Sequence, residues 1–301
     1  MSAKIRWCFF VILWCFSIPI YSAYFKSFSM SEGLLNNTVK SIAQDKKGYI
    51  WVGTLDGLFR FDGLQFKRYN IEQDNTSIKQ VDALYADDGG LWIGSTSGLF
   101  YYSFDDETFH PCFQKLSSGE ERTWNLHVEN IVYIDGKYVF FANGELYIQK
   151  EGFCFDKIKM DIPSILSMVL YKEKYFLFLT RRGLFLWDIQ NESIINRFDF
   201  YDNDSNDHGI YYSKNEDAVY KWRGLGFGTE AYKINDELEI QKLDVTLPSD
   251  VKTIIDYNGE TYFGTDGEGL KCMHNGELLE SYTLENSNIS SNAVFSLFVD
   301  N

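Results

Sequence analysis

Cysteine and proline are both scarce in this sequence. Of its 301 residues, five are cysteines and four are prolines. Two cysteines lie in an apolar N-terminal stretch, and the other three form an odd number without a C-x-x-C spacing: Cys112, Cys154 and Cys272. This pattern excludes a disulfide framework. We expect buried thiols, and one disulfide that leaves a single free thiol is the alternative.

Basic residues are also few compared with acidic ones. The chain has 28 Lys and Arg against 43 Asp and Glu, which gives a formal net charge of −15. Nucleic acids and anionic lipid surfaces are bound through clustered positive charge, so we do not expect them as partners of this segment. Neutral and cationic ligands remain.

The sequence lacks the common motifs of catalysis and of metal or phosphate binding. It has no H-E-x-x-H, P-loop or G-x-S-x-G pattern. The acidic run at residues 202–207 lacks the Gly and the Glu of an EF-hand loop. The four histidines are far apart in the chain: His110, His127, His208 and His274. We therefore expect no cofactor, no metal ion and no catalysis by this segment.

Residues 1–23 are predicted to be a signal peptide. Two basic residues precede an apolar stretch at residues 7–20, which is short for a membrane span. An uncleaved anchor is the alternative, because Tyr21 is a poor residue near a cleavage site. Residues 24–301 are then one exported domain, and the predicted location is the periplasm.

A degenerate repeat runs through the exported part. Its closing glycine recurs at steps of 41, 46, 39, 45 and 41 residues, and in three units a tryptophan stands six residues before it. A period near forty residues predicts a β-propeller, in which one four-stranded blade is copied around an axis. We interpret these residues as blade-packing residues: Trp51, Trp92 and Trp222, with Gly57, Gly98, Gly144, Gly183, Gly228 and Gly269.

Each unit is divided by Gly, Asn and Asp into short apolar runs, which predicts strands and not helices. In the first unit, strands A to D are predicted at residues 38–43, 49–53, 58–61 and 65–69. The predicted fold class is all-β, with six complete four-stranded antiparallel blades and parts of a seventh. Residues 24–29 are predicted as strand D of that last blade and residues 291–300 as its strand A. Because its strands B and C are missing, we expect a longer protein or a truncated product.

The opening of the first unit carries a family resemblance. It reads Glu-Gly-Leu-Leu-Asn-Asn from Glu32, Trp-Val-Gly-Thr from Trp51 and Gly-Leu-Phe-Arg-Phe-Asp from Gly57. In this order the motifs resemble the two-component regulator propeller family. The resemblance implies a seven-bladed propeller. In that family, two propellers and a β-sandwich form the periplasmic sensor of a hybrid two-component system.

The resemblance also implies a function. It implies a ligand-sensing module whose input is an oligosaccharide, and whose partners are the second propeller and the kinase portion of the full-length protein. A homodimer is a further expected assembly. Kinase activity is not expected of these residues. Two alternatives from other classes stay open, namely a propeller enzyme acting on polysaccharide, such as a lyase, and a pure protein-interaction scaffold.

Residues that interrupt the repeat are the candidates for ligand binding. In a propeller the B–C turns and the D–A connections share one face, where ligands dock. Aromatic rings stack on the C–H faces of sugars, and forked polar groups bind hydroxyls. Packing or solvated surface is the alternative for each candidate. The candidates are Trp124, His127, Arg181, Arg182, Asp207 and His208.

Overall fold

The structure is a computed structural model of the chain. It describes residues 23–73, 76–78, 80–115, 120–123, 125–162, 164–200, 208–223 and 228–300. These residues form 28 strands and one short 3-10 helix, Met30–Glu32, which confirms the all-β prediction. Within these ranges, no helix has the length and apolar character needed to cross a membrane. The predicted signal peptide lies outside the described residues, apart from Ala23.

Six antiparallel meanders follow one another along the chain. Blade one consists of β1 (Val39–Gln44), β2 (Ile50–Thr54), β3 (Gly57–Phe61) and β4 (Phe66–Tyr69). A short hairpin, β5 (Ile71–Gln73) and β6 (Thr76–Ile78), precedes blade two, which consists of β7 (Val81–Ala86), β8 (Gly90–Ser95), β9 (Gly98–Ser103) and β10 (Phe109–Pro111). Blade three consists of a hairpin, β11 (Phe113–Lys115) and β12 (Glu121–Thr123), and of β13 (Val128–Ile134), β14 (Lys137–Ala142), β15 (Glu145–Glu151) and β16 (Cys154–Lys157).

Blades four to six have the same arrangement of four antiparallel strands. Blade four consists of β17 (Ile165–Tyr171), β18 (Tyr175–Thr180), β19 (Gly183–Asp188) and β20 (Ser193–Asp199). Blade five consists of β21 (His208–Ser213), β22 (Ala218–Arg223), β23 (Glu230–Ile234) and β24 (Ile240–Leu243). Blade six consists of β25 (Val251–Tyr257), β26 (Glu260–Thr265), β27 (Leu270–His274) and β28 (Glu277–Tyr282). The prediction of six complete blades is confirmed.

The apolar core lies between successive blades. Trp51 of blade one, for example, packs in one cluster with Leu91 and Phe100 of blade two. A single meander would leave two apolar faces uncovered, and stacking buries both of them. Three cysteines of the described residues are free and buried, as expected: Cys112, Cys154 and Cys272.

The repeated tryptophan of blades one and two also forms a hydrogen bond with the A–B turn. The Nε1–H of Trp51 donates to Asp45 Oδ2 at 2.8 Å, and that of Trp92 donates to Asp87 Oδ2 at 3.0 Å. The other oxygen of Asp45 accepts two backbone N–H groups of the turn. One carboxylate therefore closes the turn and satisfies the indole N–H.

The closing glycine of the repeat belongs to the B–C turn. Gly57 and Gly98 have φ values of 127° and 137°, a region that favours glycine. Each carbonyl accepts a buried hydroxyl, from Thr54 at 3.1 Å and from Ser95 at 2.9 Å. The Thr or Ser and the Gly of the motif thus encode one turn.

Blade five departs from the predicted alignment. Trp222 is the penultimate residue of β22, where β2 has Gly53, whereas Trp51 stands two residues earlier in its strand. Trp222 pairs with Gly209, and a Cβ on Gly209 would lie 1.9 Å from the indole. The missing side chain makes room for the ring. Gly228 lies two residues before β23, whereas Gly57 and Gly98 are the first residues of β3 and β9, so Gly228 does not reproduce the closing glycine.

The predicted strand at residues 24–29 is wrong. This segment is extended but joins no sheet. Instead, the amide side chain of Asn288 accepts from Phe25 N–H at 3.0 Å and donates to Phe25 O at 2.7 Å. The Phe25 ring packs edge-on against Tyr282, with ring centroids 5.4 Å apart. No strand of the described residues pairs with this segment, and the Asn288 side chain makes the backbone contacts instead.

The prediction of a regular strand at residues 291–300 is also wrong. The described residues of this segment make one isolated bridge to blade six, between Ala293 and Asp266. The segment nevertheless lies where an innermost strand begins. A Cβ on Gly264 would meet the Val294 side chain at 2.8 Å, and a Cβ on Gly53 would meet Val81 at 2.7 Å. Val294 therefore packs on blade six as the first residue of blade two packs on blade one.

Candidate functional site

Strand register defines the face on which ligand binding is expected. The first residue of an innermost strand pairs with the last residue of the second strand, as Val39 does with Thr54 and Val81 with Ser95. The D–A connections lead into the innermost strands, and the B–C turns follow the second strands. Both therefore lie at the same end of the blades, which we call the channel-mouth face.

A central channel of about 390 Å³ lies between the innermost strands and is open to solvent. Five blades and the C-terminal segment contribute to its wall. Charged and aromatic side chains are mixed in the lining: Lys40, Asp82, Glu129, Lys252, Tyr211, Trp222 and Phe295.

A repeated irregularity of the backbone directs charged residues to this channel. In blades one, two, three, four and six, the pairing register shifts after the first residue of the innermost strand. The second residue is then the extra residue of a β-bulge, and a bulge redirects its side chain. We call these residues the bulge residues: Lys40, Asp82, Glu129, Leu166 and Lys252. All of them except Leu166 are charged and line the channel.

His127 is the predicted candidate that the structure places beside the bulge residues. Its Nε2 lies 3.0 Å from Asp82 Oδ2, and its Nδ1 lies 3.7 Å from Glu129 Oε1. Gln80 Nε2 donates to both carboxylate oxygens of Asp82, at 2.9 and 3.1 Å. The Asp82 side chain is only 9% exposed, so its charge is satisfied by protein partners.

These contacts shift the protonation of the three groups. The hydrogen bond with Asp82 raises the pKa of His127 above its ordinary value. Burial acts to raise the pKa of Asp82, but hydrogen bonds from His127 and Gln80 outweigh it, and the pKa is lowered. Burial raises the pKa of Glu129. In the part of the chain that the structure describes, no group of three or more His, Cys, Asp or Glu is placed to hold a metal ion.

Blade five supplies the aromatic part of the channel wall. Trp222 packs in the cluster between blades five and six with Val251 and Phe263, and it also lines the channel. The Tyr211 hydroxyl accepts from Asp256 N–H at 3.0 Å. Burial raises the pKa of Tyr211 to about 12, so the phenol stays neutral at physiological pH. The wall therefore offers neutral rings beside charged bulge residues.

The other predicted candidates do not line the channel or are not described. Arg181 and Arg182 form the B–C turn of blade four, where both are exposed on the channel-mouth face. They are not among the residues that line the channel. His208 begins β21 at the same face. Trp124 and Asp207 lie outside the described residues.

Reasoning from the sequence missed the bulge residues, although a signal was present. Each one follows the apolar residue that opens an innermost strand, as in Val39-Lys40, Val81-Asp82 and Val251-Lys252. The first residue of the pair stays apolar, while the second is a lysine, an acidic residue or, in blade four, a leucine. A repeat position that changes in this way is free of the packing constraint, and it is a candidate for ligand contact.

Sequence comparison places the first unit in a known family. Residues 33–56 match the family described as two component regulator propeller. The chain carries a two-component regulator propeller repeat. Over 55 residues the chain is also 54% identical to Histidine kinase P4 of Formosa agariphila. This aligned segment covers 18% of this chain and 4% of that protein. The predicted family resemblance is confirmed.

Solved structures share the fold at low identity. The extracellular domain of BT4673 from B. thetaiotaomicron, described as a hybrid two component system, aligns with a TM-score of 0.71 at 18% identity. The alignment covers 93% of this chain and 38% of that one. The β-propeller domain of Cps50 (Swd1) from Myceliophteria thermophila aligns with a TM-score of 0.61 at 10% identity, over 83% of this chain and 87% of that one. The chain therefore spans less than half of the BT4673 extracellular domain that it matches.

Proposed function

We propose that this chain is the extracytoplasmic ligand-sensing propeller of a hybrid two-component signalling protein, and that its ligand is an oligosaccharide. The observation that carries the proposal is the channel mouth, where Tyr211, Trp222 and Phe295 lie among hydrogen-bonding side chains. Sugars present C–H faces to aromatic rings and hydroxyls to directional polar partners. The fold match to the extracellular domain of a hybrid two-component system supports the signalling role.

The proposal includes a location and partners. The chain lies in the periplasm, which it reaches by means of the signal peptide at residues 1–23. Its partners are a second propeller and a kinase portion of the same full-length protein, with a second copy in a homodimer. The match to a histidine kinase supports the kinase partner. Binding, and not catalysis, is the role of this segment.

A propeller enzyme that acts on polysaccharide is the second candidate function. The observation that favours it is the 3.0 Å contact of His127 with Asp82, since a carboxylate that orients an imidazole is part of many general-base sites. Incubation of the protein with polysaccharides distinguishes the two. Turnover that is lost in His127→Ala would favour the enzyme. A protein-interaction scaffold is the third alternative, and it predicts no sugar binding.

Calorimetry tests the proposed function. The purified protein is titrated with a panel of neutral and acidic oligosaccharides of different linkage. We expect saturable binding of at least one of them and no product formation. A protein that melts cooperatively but binds none of the panel would contradict the proposal.

A further inference from the structure

We infer that the A–B and C–D turns of blades two and three form a docking surface for an arginine-bearing segment of a protein partner. The A–B turns lie at the face opposite the channel mouth, so the inference goes beyond the proposed sensing role. It follows from a row of aromatic side chains that crosses the two blades. We call these residues the ring row: Tyr85, Tyr133, Tyr138, Trp92, Tyr101 and Phe153.

The ring row runs from the innermost strands towards the outer strands where blades two and three meet. Successive ring centroids lie 4.4–5.3 Å apart in the order Tyr133, Tyr138, Trp92, Tyr101 and Phe153. Tyr85 stands beside Tyr138, with centroids 5.7 Å apart. The outer end is covered, because His110 stacks on Phe153 at 5.1 Å. At the inner end, Tyr133 is 45% exposed and can offer its ring face to a partner.

One carboxylate fixes the middle of the ring row. Asp87 accepts from the Trp92 indole at 3.0 Å, from the Tyr101 hydroxyl at 3.3 Å and from the Tyr138 hydroxyl. A Cβ on Gly90 would lie 2.4 Å from Cζ of Tyr101, so the glycine makes room for this ring. Burial raises the pKa of Tyr101 and Tyr138, and both phenols stay neutral at physiological pH. The rings are therefore held in place before a partner binds, which lowers the entropic cost of docking.

Blade one shows which group can cover rings at this position of the repeat. Arg60 pairs with Trp51 as Tyr101 pairs with Trp92. The Arg60 guanidinium lies 4.2 Å from the ring centroid of Tyr49 and 5.7 Å from that of Trp51. Among the residues that the structure describes, no lysine or arginine lies over a ring of the ring row. A partner's arginine can therefore take the place that Arg60 fills in blade one, since a guanidinium stacks on aromatic faces.

The turns beside the ring row are complementary in charge to such a partner. Phe104 N–H donates to Gly89 O at 2.9 Å, so the A–B and C–D turns of blade two are adjacent. Lys137, directly after the A–B turn of blade three, carries the opposite charge, and Asp106 lies 3.6 Å from His110. The turns at residues 87–89, 104–108, 135–136 and 152–153 nevertheless contain no lysine or arginine and six acids: Asp87, Asp88, Asp105, Asp106, Glu107 and Asp135. A partner arginine can thus contact a ring face and lie close to carboxylates at once.

The test is an NMR titration of the purified protein with an end-capped arginine tetrapeptide and with matched lysine and citrulline tetrapeptides. Lysine keeps the charge without the planar group, and citrulline keeps the planar shape without the charge. We expect the arginine peptide to bind most tightly and to shift amide signals at residues 85–89, 104–108 and 133–138. Tyr133→Ala should weaken its binding about two- to fivefold, the value of one exposed cation–π contact. Tyr257→Ala is the matched control, because Tyr257 is 47% exposed and ends the innermost strand of blade six.

Three results would overturn the inference. The first is equal affinity for the arginine and lysine peptides, or a Tyr133→Ala variant that binds like Tyr257→Ala, because the rings would then contribute nothing. The second is no binding, or signal shifts confined to the channel-mouth face. The third is a neutral oligosaccharide that shifts the signals of these turns when the arginine peptide does not, which would make the ring row a sugar platform. The calorimetric test of oligosaccharide sensing is separate, and saturable sugar binding there would leave the sensing role intact whichever result is found here.

Discussion

At the scale of single residues, the indole of Trp92 contributes both packing and a hydrogen bond. It is 3% exposed and donates to Asp87. Removing a buried aromatic ring costs about 3–5 kcal/mol, a large part of the roughly 5–15 kcal/mol that holds a domain folded. We therefore expect Trp92→Ala to unfold or aggregate. Urea unfolding of Trp92→Phe, which keeps a ring and loses the hydrogen bond, should give an intermediate loss. A Trp92→Ala protein that unfolds like the parent would contradict the packing role.

Two glycines at equivalent sequence spacing should respond differently to substitution. Gly269 has a φ of 80°, and a Cβ there would lie 2.0 Å from the carbonyl oxygen of Tyr282. At Gly228, no described atom lies within 4 Å of such a Cβ. Gly269→Ala should therefore destabilise by more than about 1 kcal/mol, and Gly228→Ala should change stability by less than about 0.5 kcal/mol. Thermal melts of the two variants compare them directly, and equal losses would refute the assignment of Gly228.

His127 and Asp82 make stability depend on pH in opposite directions. The pKa of His127 is raised by folding, so its contribution is present below the ordinary histidine value and is lost as pH rises through the folded pKa. The pKa of Asp82 is lowered, so its contribution is present above the ordinary aspartate value and is lost as pH falls through the folded pKa. Asp82→Asn should move the His127 pKa down, as measured by NMR titration of the imidazole. An unmoved pKa in a variant with otherwise native amide signals would exclude the pair.

At the scale of elements, one amide side chain makes the backbone hydrogen bonds of Phe25 in the N-terminal segment. Asn288 makes both backbone contacts with Phe25, in place of a strand. Asn288→Ala should therefore increase hydrogen exchange and protease cleavage at residues 23–29, with the blades unaffected. If exchange at this segment stayed as slow as in the parent, the ring contact with Tyr282 would be the main attachment instead.

The sequence predicted the blades well because their determinants are local. In blade one, Asp45, Trp51, Thr54 and Gly57 each act within a few residues, and the predicted strands end within two residues of the observed ones. The two terminal strands failed for a non-local reason, because a strand forms only beside another strand. Trp222 was misaligned because its spacing to Gly228 is that of the repeat, while its register is set by Gly209.

The candidate site was predictable only in part. His127 interrupts the repeat and could be found in the sequence. Lys40, Asp82 and Lys252 could not be found by spacing, because a β-bulge adds no residue that a repeat period would reveal. The bulge is a feature of pairing between two strands, and only the register shows it.

At the scale of the whole molecule, the propeller brings charged groups of both signs to one opening. The expectation of a neutral or cationic ligand rested on the chain total of −15. The second residues of several innermost strands meet at the channel, where Lys40 and Lys252 lie with Asp82 and Glu129. The total charge of the chain therefore does not fix the charge that a ligand meets at the channel.

Ligand binding at the channel-mouth face of this propeller is the core of the proposed function. Hydrogen exchange measured with and without a bound oligosaccharide tests it most directly, because every blade presents peptides from both faces. We expect bound oligosaccharide to slow amide exchange in the D–A connections, in the B–C turns and in the first residues of the innermost strands. These include residues 39–41, 81–83 and 127–130. Protection confined to the A–B turns at the opposite face, or no protection under saturating sugar, would contradict it.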